Sequence, residues 1–237
     1  MKRTIVITED GSPTLINTQL SEHYHSIHGA VTESKHIFIA AGLAHRHSTP
    51  HPIPLRVFEV GLGTGLNALL SLEYAQRRSV AIQYTSVELY PLREEEFSDL
   101  SYPELQRSDF DALGYLQLLH RLPWSESQFI TPFFEFHKIC TDLQTLLAQA
   151  KLPPQSQDVI FFDAFSPETQ PELWTPDLLH SLTQSLAPNG VLTTYCAKGT
   201  VRRALLSCGL LVERLPGPPG KREILRATRP LPSTSSK

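Results

Sequence analysis

The sequence predicts an α/β protein: a mostly parallel sheet with helices on both faces, a closing C-terminal antiparallel hairpin, and a short β-rich N-terminal extension. Three observations carry this. From Leu55 onward, short apolar runs of strand length alternate with stretches of helical period. The runs are close to continuously apolar rather than alternating, as in strands covered on both faces. The first of them ends in alternate glycines, Gly61, Gly63 and Gly65, and enters a helix directly.

Each element follows in order. Residues 1–50 lack helical period, and β-like runs at 4–8 and 34–40 are broken by Gly11-Ser12-Pro13 and by Gly29, which suggests hairpins. Pro50, Pro52 and Pro54 mark a stiff entry into the main domain, expected over 51–230. Strands are expected at 55–60, 81–89, 133–139, 158–162 and 191–196, the last after a turn at Asn189-Gly190. Helices are expected at 65–77, 92–120 with a break near Pro103, 142–150, 171–186 and 199–207. Segments 210–214 and 222–228 can pair across Pro216-Gly217-Pro218-Pro219-Gly220, and the Ser/Thr/Pro-containing tail 231–237 reads as disordered.

A chain of 237 residues suits one large domain, and at 41% hydrophobic and 19% charged residues disorder is not the default. No run approaches the roughly 18 apolar residues that span a bilayer, and the N-terminus turns acidic at Glu9-Asp10, too early for a signal peptide. A soluble, cytoplasmic protein without membrane contact is expected. Cys140, Cys196 and Cys208 are odd in number and far apart, so neither a disulfide framework nor a zinc ribbon is expected. Seven of the ten histidines lie between His23 and His51, but no Cys or repeated carboxylate joins them at ligand spacing, and no metal is expected. The formal charge of −3 hides an asymmetry: residues from Lys198 onward carry +7, and residues 1–197 carry −10. A basic edge on an acidic body suits a polyanion; solvated surface charge is the plain alternative.

The sharpest local signal is Val57-Phe58-Glu59-Val60-Gly61-Leu62-Gly63-Thr64-Gly65-Leu66-Asn67. Glycines at that turn permit unusual backbone angles and let a ligand approach the main chain. In a nicotinamide loop of the G-x-G-x-x-G type the third glycine would stand at Leu66. The alternate spacing, with Glu59 just ahead, fits a nucleoside amino acid better than a pyrophosphate. Glu88 closes the next strand and can accept both ribose hydroxyls of an adenosine-bearing cofactor. Asp142 follows the third strand, where it can accept from an adenine amino group, cap the next helix, or do both. The fourth strand ends in Asp163-Ala164-Phe165-Ser166-Pro167. Asp163 could simply initiate the turn. Beside a methyl donor it would orient an amine, with Phe165 as a stacking face for a base. These residues fit a Rossmann-like class I methyltransferase using S-adenosyl-L-methionine, with Glu59, Gly61, Gly63, Gly65, Asn67, Glu88 and Asp142 as the expected cofactor set.

Beyond these motifs the chain resembles the methyltransferase domain of the bifunctional tRNA-modifying MnmC enzymes, and most closely the free-standing form, MnmD. The resemblance covers nearly the whole chain. It rests on residues 58–67, on Glu88-Leu89-Tyr90-Pro91-Leu92, on Asp163-Ala164-Phe165-Ser166-Pro167 and on Pro171-Glu172-Leu173-Trp174-Thr175. Its more specific parts are Lys198-Gly199-Thr200-Val201-Arg202-Arg203 and Gly217-Pro218-Pro219-Gly220-Lys221-Arg222-Glu223. Tyr24-His25-Ser26 and the stretch from Gly29 through Glu33 to Ser34 resemble the family's N-terminal element. The resemblance implies N-methylation of the 5-aminomethyl group on wobble (2-thio)uridine, giving 5-methylaminomethyl. It implies Asp163 as the catalytic group. Tyr24, Ser26, Glu33, Phe165, Lys198, Arg202, Arg203, Lys221 and Arg222 would then face the tRNA anticodon arm. The aminomethyl group is expected to be installed by separate enzymes.

Three other readings share parts of this pattern. A methyltransferase or aminopropyltransferase acting on a small amine would keep the loop and Glu88 but has no use for a basic edge. A nicotinamide oxidoreductase is disfavoured by Leu66, and a non-catalytic RNA binder does not need Gly61, Glu88, Asp142 and Asp163 together.

Overall fold

The computed structural model describes residues 2–232, so of the tail expected at 231–237 all but the first two positions lie outside the described residues. Strands β1 (Arg3–Ile7), β2 (Pro13–Asn17) and β3 (Glu22–His23) form a small antiparallel sheet. The chain then turns helical from 30 to 47: α1 (Ala30–Ser34), a π-type stretch Lys35–Ala44, and α2 (His45–His47).

This corrects the strand expected at 34–40. Ile37, Phe38, Ala41 and Leu43 are buried together with Ala30 and Val31 in one core cluster. The β-branched Ile37 and Ile39 suggest a strand, but burial against the sheet decides the conformation. Gly42 is the close-approach point, since a Cβ there would sit 3.1 Å from both the Phe161 ring and Thr193 Oγ1.

The main sheet contains β4 (Leu55–Val60), β5 (Ile82–Glu88), β6 (Ser127–Thr131), β7 (Phe134–Cys140), β8 (Gln157–Phe162), β9 (Leu186–Thr194), β10 (Leu211–Pro216) and β11 (Glu223–Thr228). Their order is β10-β11-β9-β8-β4-β5-β7-β6. The five central strands are parallel; β6 and β11 run antiparallel to their neighbours. Side chains alternate between two cores. Val57, Tyr84, Phe136 and Phe161 pack under helix 30–47, α3 (Leu66–Arg78) and α5 (Ala112–Arg121). Phe58, Val87, Ile160 and Phe162 pack under α6 (Leu143–Ala148), α7 (Pro176–Thr183) and α8 (Gly199–Ser207). Each fully buried Phe contributes on the order of 1.5–3 kcal/mol.

Three further expectations change in detail. The helical stretch expected at 92–120 is α4 (Glu94–Phe97), a 3-10 turn Pro103–Leu105 and α5, because Pro103 and Pro91 restrict the backbone. The helix expected at 171–186 is a 3-10 turn Pro171–Trp174 followed by α7, which starts at Pro176 with a Thr175 cap. Asn189-Gly190 lies inside β9, at an irregular register where Asn189 takes φ 59°, rather than preceding the strand.

The chain starts the sheet at β4, builds outward through β5 and β7, then crosses to β8 and β9 on the other side. The connection after β4 therefore leads to α3 on one face and that after β8 to α7 on the other, and a crevice opens between them.

Candidate active site

A cavity of about 560 Å³ occupies that crevice. Its floor is the glycine loop. Gly61, Gly63 and Gly65 have φ of 89°, 50° and 76°, in the left-handed region that side chains disfavour. Close approach adds to conformation here. A Cβ on Gly61 would stand 2.9 Å from the Asp163 carbonyl oxygen, and one on Gly63 would stand 3.0 Å from the Tyr24 ring. Gly65 caps α3 and packs against His120 instead of lining the cavity. The His120 ring N–H donates to the Thr64 carbonyl at 2.9 Å and braces the loop from behind. Burial pushes this imidazole down to about 4, so it is neutral near pH 7.

Three acids from three strand ends reach the cavity. Glu88 accepts the Gly63 N–H at 3.0 Å on one oxygen and the Tyr90 N–H at 2.8 Å on the other. Each oxygen retains a lone pair. Asp142 caps α6 by accepting the Thr145 N–H at 2.7 Å, which holds its carboxyl below the usual range. Asp163 accepts from the Asn67 amide at 2.9 Å. Burial pushes Asp163 up to about 8; the nearby Glu33 charge adds to this, while Asn67 and Lys221 oppose it.

Glu59 does not reach the cavity. It is fully buried on the α3 side of the sheet, where it accepts from Ser86 Oγ at 2.8 Å. Period two along β4 puts Glu59 on the same face as Val57, away from the crevice. Burial raises its carboxyl to about 8.

The opposite wall comes from the N-terminal segment and the loop after β8. Tyr24 meets Phe165 edge to face, with centroids 5.0 Å apart at 81°. Burial pushes the Tyr24 hydroxyl up to about 12, so it stays a phenol. Trp174 donates to the Phe165 carbonyl at 2.8 Å, and Tyr195 donates to the Ala164 carbonyl at 2.9 Å. Glu22 accepts from the Ser166 N–H at 3.2 Å and from Thr169 Oγ1. Glu33 accepts the Ser26 N–H at 2.6 Å and pairs with Lys221 at 3.2 Å, whose ammonium lies 4.7 Å from the Tyr195 ring centroid.

Tyr24, Ser26, Glu33, Phe165 and Lys221 thus share one cavity with Gly61, Gly63, Asn67, Glu88, Asp142 and Asp163. The other basic residues lie outside it. Lys198 pairs with Glu168, Arg202 is half-buried, and Arg203 and Arg222 are exposed. The cavity also includes Glu22 and Tyr195, which the motifs do not single out. Tyr195 follows a parallel strand's carboxyl end, a usable signal; Glu22 lies in a two-residue strand without one. Among the described residues no three His, Cys, Asp or Glu gather to hold a metal ion, and no helix is long and apolar enough to cross a membrane.

Residues 125–230 match a family model described as S-adenosyl-L-methionine-dependent methyltransferase. The crystal structure of MNMC2 from Aquifex aeolicus superposes with a TM-score of 0.78 at 25% identity, over 98% of this chain and 71% of that one. The fold is that of a Rossmann-like, S-adenosyl-L-methionine-dependent methyltransferase.

The chain also resembles curated proteins named tRNA 5-methylaminomethyl-2-thiouridine biosynthesis bifunctional protein MnmC. The one from Pseudomonas aeruginosa is 31% identical over 238 residues, spanning 93% of this chain and 34% of that protein. The one from Pseudomonas savastanoi pv. phaseolicola is 30% identical over 235 residues, with the same two shares. The chain therefore spans about a third of the length of these relatives. Its cofactor is S-adenosyl-L-methionine, and the crevice fits that molecule: the loop leaves main chain bare where a Cβ would intrude, and two acids with free lone pairs stand beside it.

Proposed function

We propose that the chain transfers the methyl group of S-adenosyl-L-methionine to the 5-aminomethyl nitrogen of a wobble (2-thio)uridine in tRNA, giving 5-methylaminomethyl. The observation that carries this reading is the placement of Asp163. It abuts the glycine loop at Gly61 and shares one cavity with the aromatic wall of Tyr24 and Phe165.

Glu88 would hold the ribose hydroxyls, Asp142 the adenine amino group through its second oxygen, and the loop main chain around Gly61 and Gly63 the amino-acid end. The bound cofactor supplies an electrophilic sulfonium methyl. An alkylamine is mostly protonated in water, as Lys is, and must become neutral to attack. Asp163 accepts an N–H of the amine and aims its lone pair; Asn67 fixes the carboxylate that does so. Phe165, held by Tyr24 and Trp174, offers its face to the extruded base, since a stacked anticodon base cannot otherwise reach a buried methyl group. The resemblance to the MnmC proteins supports the acceptor assignment.

The test is nucleoside mass spectrometry of tRNA carrying 5-aminomethyluridine, incubated with the protein and isotopically labelled cofactor. Labelled 5-methylaminomethyl nucleoside is expected. Methylation of free small amines with none on tRNA would overturn the assignment.

A further inference from the structure

We infer that Arg3 is a positioning residue that couples the cofactor half of the cavity to its acceptor half, so that cofactor binding tightens RNA binding. The inference deepens the function proposed above and rests on it for the identity of the acceptor.

Arg3 lies on β1, outside the methyltransferase sheet, and does not itself line the cavity. Its side chain is nonetheless 4% exposed, and its guanidinium makes bonds in several directions. Nε donates to the Tyr24 hydroxyl at 2.7 Å. Nη2 donates to the Tyr90 carbonyl at 2.5 Å. Nη1 donates to Glu96 Oε2 at 3.0 Å and to the Pro91 carbonyl at 3.5 Å. The same Glu96 oxygen accepts the Arg93 N–H at 2.9 Å, so the counter-charge is itself tied to the start of α4. A planar, rigid fork of donors transmits a shift of one partner to the others better than a flexible ammonium does.

The two routes from Arg3 end on the same turn of main chain. Through Tyr90, whose N–H binds Glu88, the guanidinium reaches the carboxylate that also holds the Gly63 N–H. Through Tyr24 it reaches Phe165 on one side, while on the other the Tyr24 ring packs so near the loop that a Cβ at Gly63 would stand only 3.0 Å from it. A ligand that orders Glu88 and the segment around Tyr90 therefore also orders Tyr24, and with it the face of Phe165. Linkage makes the effect reciprocal: tRNA must tighten the cofactor by the same factor.

The test measures affinity for aminomethyl-bearing tRNA with and without S-adenosylhomocysteine, which cannot react, in wild type, Arg3→Lys and Tyr24→Phe. Arg3→Lys keeps the charge opposite Glu96 but gives up the planar fork that serves Tyr24, Glu96 and Tyr90 from three separate nitrogens. Tyr24→Phe keeps the edge-on packing with Phe165 and removes only the hydroxyl. Wild type is expected to bind tRNA roughly five-fold or more tighter with the cofactor product present, and both variants to lose most of that factor while melting cooperatively. Calorimetry without RNA should also show S-adenosylhomocysteine binding about three-fold or more weaker in Arg3→Lys, from loss of the Tyr90 support. Absence of coupling in wild type, its retention in both variants, or unchanged cofactor affinity in folded Arg3→Lys overturns the inference. Failure of the acceptor assignment is separate: it shows as wild type giving no product on tRNA, and the calorimetric comparison still decides the role of Arg3 toward the cofactor.

Discussion

In the proposed reaction Asp163 stands where two demands meet, because it accepts an N–H best as a carboxylate yet lies among groups that resist its charge. With its carboxyl pushed up to about 8, methyl transfer should rise with pH through that region, before the amine itself is extensively deprotonated. Glu33 contributes to the upward shift, so Glu33→Gln should move the rising limb of kcat/KM to lower pH; an unmoved limb would assign it to another group. Asp163→Asn should lose about 10²-fold or more in kcat while binding cofactor normally, as loss of an orienting group does. Single-turnover rates check this. Glu88→Ala should weaken S-adenosylhomocysteine by about 1–3 kcal/mol in calorimetry, through loss of charge-assisted hydrogen bonds. Positions at strand ends are readable from sequence, because a carboxylate that ends a buried apolar run must emerge into the crevice. Glu59 is readable too, but from strand parity rather than from proximity to the glycines. No pattern announces Glu22 or Arg3, whose partners lie 144 and 93 residues away.

Elements follow the same division between local rule and tertiary context. The five parallel strands are legible because strands covered on both faces need continuous apolar runs. The hairpin of β10 and β11 is legible from its Pro-Gly turn. Helix 30–47 is not, because its β-branched residues suit a strand until a sheet lies beneath them. Gly42 marks that close approach, and Gly42→Val should destabilise the fold by about 1–3 kcal/mol through overpacking against Phe161 and Thr193. Chemical denaturation measures it; an unchanged midpoint would mean that the helix is free to lift. Strand β6, with Phe129 exposed, goes unassigned in the sequence because an edge strand buries too little to show a pattern. In β4, the raised Glu59 carboxyl has a thermodynamic signature. Its proton is held more tightly folded than unfolded, so its contribution to stability is complete below pH about 4.5 and lost as pH rises through about 8. Glu59→Gln should remove that slope, worth on the order of a few kcal/mol across the window. Thermal melts at pH 5 and pH 8 that retain the wild-type difference would locate the slope elsewhere.

Over the whole molecule, the basic C-terminal segment is less free than its composition suggests. Lys198, Arg214, Lys221 and Arg226 all pair with carboxylates, which leaves Arg203 and Arg222 as exposed residues without a carboxylate within ion-pair distance among the described residues. If these two meet phosphates, reversing both to Glu should weaken tRNA binding and flatten its dependence on salt by roughly 0.7 for each single-stranded phosphate no longer neutralised. Filter binding over a salt series would show this, with cofactor affinity as the control. Unchanged slopes would turn attention to the N-terminal segment. Lys221 belongs to a different experiment, since its reversal would place a negative charge beside Glu33 inside the cavity.

The strand order has a consequence for how such a chain is made. β11 lies between β9 and β10, although it follows both in sequence. While β10 emerges, its eventual neighbour does not yet exist, and the outer edge of β9 stays unpaired. Such an edge is a template for pairing with other chains. Nascent protein therefore passes through a stage at which the cofactor strands are complete and the sheet is not. A message broken before the codon for Glu223 would yield an aggregating product rather than a smaller working enzyme. Only once residues up to Thr228 are free to fold can the hairpin dock and bring Lys221 to the mouth of the site.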